Sequence, residues 1–158
     1  VYKRKVHPLQ QDHKTSIQND YFQFMIGNTD YSSAYQHNEK ILFVKKVSLP
    51  VPYDFDMSGL VDASYAVVSQ IGDQKLSISS VTDRMFRGFK RDVATYQEVR
   101  QDFISKKDEV LATVDALESS FVHPAEFKRV RSYILGFYDI LQNENAFQKQ
   151  VISKMRVK

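Results

Sequence analysis

Residues 24–59 read FMIGNTDYSSAYQHNEKILFVKKVSLPVPYDFDMSG, and the order of signals in this stretch decides the fold. Gly27-Asn28 stops a helix running from about Gln11, whose apolar positions Ile17, Tyr21, Phe24 and Met25 recur at helical spacing. A polar loop, TDYSSAYQHNEK, follows. ILFVKKV and VPYDF then read as two short strands joined by a Ser-Leu-Pro turn, which predicts a hairpin. Asp54 and Asp56 stand where the second strand breaks, between a proline and a glycine.

Upstream, VYKRKVHPLQ is basic and ends in a His-Pro breaker, an incoming arm. Downstream, residues 57–80 have no clean period and read as a long ordered loop. Ser80 or Thr82 caps a short helix, VTDRMFRG, closed by Gly88. Helical stripes then follow: Val93, Tyr96, Val99 and Phe103; Val110, Leu111, Val114 and Leu117, with Ser105 as the cap between them; Phe127 through Leu141, opened by Pro124; and Phe147, Val151 and Met155, capped by Asn143 or Asn145. Gly136 weakens the helix after Pro124 by about 1 kcal/mol relative to alanine. The fold class is mainly α with a small β-hairpin, a single domain over 1–158. It divides into the arm (1–10), the helix, hairpin and loop (11–90) and a helical bundle (91–158).

With 158 residues, 42% apolar and 13% aromatic, the chain can bury one core. The net charge of +3 is spread among acids and argues for no nucleic-acid surface. The absence of cysteine excludes disulfides, thiolate metal sites and a cysteine nucleophile. No apolar run is long enough to span a membrane.

Asp30 lies just past a helix end, Asn38 enters a strand and Asp54 leaves the next one. An Asp, an amide and a second Asp in this order suit phosphoryl transfer: one carboxylate orients or deprotonates a hydroxyl, and the others share metal ions on phosphates. Such oxygen ligands fit Mg2+ or Mn2+ and not zinc. On an extended strand Asp54 and Asp56 face the same side, with Phe55 turned to the core. Their other reading is a pair of acids capping turns around Ser58-Gly59, and Asp30's is an Asx-turn residue. His37 reads as a packed histidine bonded to a carbonyl, or as a ligand. Arg84, Arg87, Lys90 and Arg91 either anchor a phosphate or the acidic site itself, or form a solvated helix face with a bridge to Asp83.

FMIGNTDYSSAYQHNEKIL followed by VPYDFDMSGLV resembles the active-site half of atypical kinases of the HipA and CotH spore-coat type. It is closest to uncharacterised CotH-like bacterial proteins carrying GNTDWS, then HN, then PYDFDxSG, and ISSVTDRMFRG resembles that group too. The similarity covers roughly residues 20–90. It implies a kinase-like C-terminal lobe with Asp30 in the catalytic-loop role, Asn38 and Asp54 on the metal, and Asp56 sharing a cation with Asp54. It further implies ATP with Mg2+ or Mn2+ as cofactors, and a protein or small hydroxyl acceptor as partner. The nucleotide-covering lobe would lie upstream of Val1, since the five glycines, at 27, 59, 72, 88 and 136, never cluster into a phosphate loop. The alternative is a non-catalytic, pseudokinase-like helical module of an exported bacterial protein.

Overall fold

The computed structural model describes residues 5–71 and 74–157; residues 1–4 of the arm and Gly72 lie outside them. It is mainly helical, with a small antiparallel sheet: α1 (His13–Ile26), β1 (Glu39–Val44), β2 (Val47–Pro52), β3 (Gln70–Ile71), β4 (Gln74–Lys75), α2 (Val93–Ser105), α3 (Lys107–Asp115), α4 (Pro124–Gln142) and α5 (Glu144–Gln150).

Local chemistry sets the helix ends. Asp12 caps α1 by accepting from Thr15 N, Asp92 caps α2 through Thr95 N, and Asn143 caps α5 through Ala146 N. Pro124 occupies the first turn of α4. Gly27 ends α1 in the left-handed region at φ 65°, and Asn28 N returns to the Gln23 carbonyl at 2.9 Å. Ser105 is not the cap of α3: it is the last residue of α2, and its hydroxyl donates to the Asp102 carbonyl. The last helix stops at Gln150, and a single 3-10 turn, Ile152–Lys154, carries the chain on to Met155.

Helix α1 is the axis of the core. Tyr21 packs its ring edges against Phe86, Tyr96, Phe103 and Phe147, while Phe24 meets Phe86 and Phe137. Two of the buried tyrosine hydroxyls are satisfied by backbone: Tyr21 donates to the Tyr96 carbonyl and Tyr96 to the Phe89 carbonyl. The apolar stripe read from the sequence is buried as expected. So are Ser16, Asn19, Asp20 and Gln23 on the other side of α1, because the 28–39 loop and β2 cover it.

The hairpin forms, but its turn is Lys45-Lys46, not Ser-Leu-Pro. Both lysines have positive φ (48° and 68°), the twist that a two-residue connection requires. Ser48-Leu49-Pro50 lies within β2, with Pro50 opposite Ile41. A two-stranded sheet leaves outer edges on which proline loses no ladder bond. Residues 81–88 form no helix. Asp83 accepts from the Ser79 and Ser80 amides, and the segment then runs irregularly across the end of α1, tied there by arginines. The long loop holds the two-residue β3–β4 pair. The arm is packed and not loose over its described part: Val6 and Pro8 are buried, and Arg91 donates to the Pro8 carbonyl. Among the described residues, no helix is long and apolar enough to cross a membrane.

Gly27 and Gly59 meet beneath Tyr133. Gly59 N donates to the Gly27 carbonyl at 3.1 Å, and Leu60 N to Ile26 at 2.9 Å. A Cβ on either glycine would collide with the Tyr133 hydroxyl, and Gly27 also needs its positive φ. A Cβ on Gly136 would meet only the Arg84 guanidinium, at 3.5 Å. Gly27→Ala is therefore expected to lose about 1–3 kcal/mol in urea unfolding, whereas Gly136→Ala should be neutral or gain up to about 1 kcal/mol.

Candidate functional site

The loop that leaves α1 is built around Asn28. Its side-chain Nδ2 donates to Gln23 Oε1 at 2.9 Å, and its Oδ1 accepts from Asp30 N at 2.9 Å. Asn28 is thus the Asx-turn residue, and Asp30 is the residue that the turn presents. Arg87, buried, donates through Nη1 to the carbonyls of Thr29 and Tyr31, on either side of Asp30. Arg84 donates to the carbonyls of Phe24, Met25 and Tyr133 and stacks on the Tyr133 ring at 3.7 Å. These two arginines do not form a solvated helix face; they fix the backbone that carries the acidic residue. Burial lowers both guanidinium pKa values.

The eight-residue step from Asp30 to Asn38 is closed by an antiparallel bridge between Ser32 and His37. Gln36 and Asn38 take left-handed φ values of 54° and 52° to make the loop return. Asn38 Nδ2 then donates to the Asp30 carbonyl at 2.7 Å and to its Oδ2 at 3.1 Å, while His37 Nε2 faces Asp30 Oδ1 at 3.4 Å. No described residue donates to Asn38 Oδ1. His37 is exposed and bridges to a carboxylate, in place of the packed, carbonyl-bonded histidine expected.

The hairpin brings the second acidic element alongside. Glu39 pairs with Pro52, so Asn38 lies next to Tyr53, whose amide donates to the Asn38 carbonyl at 3.0 Å. Asp54 and Asp56 are not on an extended strand: β2 ends at Pro52, and Asp54 has φ 62°. A turn still puts Phe55 inward, edge-on to Phe22 at 5.3 Å, and leaves both acids exposed. Their carboxyl groups lie next to each other, and Asp56 Oδ2 accepts from Tyr65 Oη at 3.0 Å. The neighbouring Asp56 carboxyl, through hydrogen bonding and then through its charge, raises the Asp54 pKa from its ordinary value, with a smaller contribution from Asp30. Asp30 and the pair therefore face the same region. Among the described residues no three His, Cys, Asp or Glu side chains gather closely enough to enclose a metal ion. The pair, and not a three-acid cluster, is what the fold supplies.

Behind the loop lie two buried acids that sequence reading missed. Glu39 Oε2 accepts from Asn19 Nδ2 at 2.8 Å and Ser33 Oγ at 2.9 Å. Asp20 accepts from Tyr31 Oη at 3.4 Å. The strand alternation that turns Glu39 inward beside Asn38 was the available signal for the first. Nothing in the apolar pattern of α1 marked the second. Comparison with family models, curated proteins and solved structures gives no match.

Burial pushes the Asp20 carboxyl up to about 7 against the opposing charges of Arg156 and Arg91. Its folded pKa exceeds the unfolded value of 3.8, so the folded state holds the extra proton between the two. Stability accordingly falls as pH rises through that window. Urea unfolding of Asp20→Asn is expected to show a flatter decline than wild type between about pH 4 and about pH 7. Glu39, whose pKa burial also raises, contributes to the slope that remains.

Proposed function

We propose that Asp30, Asn38, Asp54 and Asp56 form the divalent-cation end of a kinase-like C-terminal lobe of the CotH type. In the intact parent this lobe would serve phosphoryl transfer from ATP to a hydroxyl acceptor, a protein or a small molecule. One observation carries the reading: the Asp54 and Asp56 carboxyls lie next to each other at the surface, just past the strand end where Asn38 holds Asp30.

Two carboxylates close enough for one to raise the pKa of the other are a place where a cation can offset their repulsion. Mg2+ keeps several waters and takes one or two protein carboxylates together with substrate phosphates, so a two-carboxylate site fits Mg2+ brought by ATP better than a metal enclosed by protein alone. When bound, Mg2+-ATP supplies the phosphoryl group. Asn38 holds the Asp30 carboxylate through Nδ2, and no described residue donates to its Oδ1, which lets one amide serve both neighbours. Asp30, half-buried beside a cavity, has the position of a group that orients a hydroxyl and takes its proton.

Calorimetric titration with Mn2+ or Mg2+ tests this. Wild type should bind with 1:1 stoichiometry, and Asp54→Ala should weaken binding at least tenfold with an unchanged circular dichroism spectrum and thermal midpoint. Metal-indifferent behaviour of the folded wild type would support the non-catalytic helical module instead.

A further inference from the structure

A cavity of about 600 Å³ opens beside Asp30, walled by Arg87, Arg156, His7, His37 and Phe89. That volume lies within the range of small-molecule sites. Among the described residues Asp30 is the sole carboxylate at this wall, and the two arginines outnumber it. Arg87 is 6% exposed, and both of its hydrogen bonds leave from Nη1, so no described residue accepts from its Nε or Nη2. Arg156 stacks its guanidinium on Phe89 at 4.2 Å, and its buried Nε has no partner among the described residues. Neither arginine has an ion-pair partner within 4.0 Å among the described residues. Buried charges are normally paired, and guanidinium groups with spare donors are suited to bidentate contacts with oxyanions. Asp20 lies behind this wall and is coupled to Arg156 only through space, without a salt bridge.

We propose that this cavity binds the anionic group, phosphate or carboxylate, of a small hydroxyl compound, with Arg87 and Arg156 as its cationic partners and Asp30 beside the hydroxyl. The placement of the hydroxyl rests on the phosphoryl-transfer reading; the anion site stands on the cavity and its two arginines. The compound is then the acceptor, and it is a small anionic molecule in place of a protein.

The test titrates the folded chain, without added metal, with inorganic phosphate and separately with acetate, following amide shifts by NMR. Two variants probe the wall. Arg156→Met keeps the stem packed on Phe89 and removes the charge. Gln70→Glu, at an exposed position on the cavity wall, adds an opposing charge at constant shape. Saturable binding of either anion that weakens at least tenfold in both variants, with unchanged thermal midpoints, supports the site, and the tighter of the two names the group. Binding of neither anion, or binding that both variants leave intact, overturns it. Anion binding with no Mg2+ binding would remove the metal reading alone, and Mg2+ binding with no anion binding would remove this inference alone.

Discussion

Buried and half-buried arginines that direct their donors to backbone carbonyls hold this structure together around its loops. Arg87 grips the carbonyls of Thr29 and Tyr31, Arg84 those of Phe24, Met25 and Tyr133, and Arg129 those of Gly59, Leu60 and Val61. A hydrogen bond from a charged donor contributes about 1.5–3 kcal/mol, and leaving such a buried group unpaired costs more. The grips of Arg87 and Arg129 fix irregular backbone that no ladder supports, and that of Arg84 ties the end of α1 to α4. The loop bearing Asp30 and the loop after Asp56 are held in this way, and their relative position follows from the Gly27–Gly59 contact between them.

That arrangement explains why the acidic groups are ordered without forming a closed metal cage. Asn28 presents Asp30, Asn38 returns to hold it, and the hairpin places Asp54 beside Asn38. Every step is a short-range hydrogen bond or a strand pairing, and none requires a bound ion. The cost of bringing like charges together is small at the surface, where Asp54 and Asp56 face water of high dielectric. The buried acids Asp20 and Glu39 are a different case: burial raises the pKa of both, that of Asp20 to about 7.

The helices were legible because their signals are local. Asp12, Gly27, Pro124 and Asn143 act through neighbours one to four residues away, and the stripes on α1, α2 and α4 follow from helical period alone. The hairpin turn was misplaced because Pro50 was given the breaker's role, while the two lysines that make the turn carry no turn signature. Residues 81–88 were read as a helix from Ser80 and Gly88, but Arg84 and Arg87 find their acceptors on α1 and its loop. Such tertiary bonds override local propensity and leave no periodic trace. At the site, the pattern Asp30, Asn38, Asp54 and Asp56 was visible as spacing, and its adjacency follows from the hairpin. Asp20 and Arg156 were not visible, since their surroundings come from segments far apart in the chain.

The central claim is that the Asp54–Asp56 pair, on the side of Asp30, is a divalent-cation site. Anomalous diffraction from crystals grown with Mn2+ tests it most directly. The account predicts a peak within bonding distance of oxygens from both Asp54 and Asp56, with Asp30 reached directly or through one water. No peak at the pair in crystals whose Asp54 and Asp56 are free of lattice contacts, or manganese bound elsewhere with none at the pair, would contradict it.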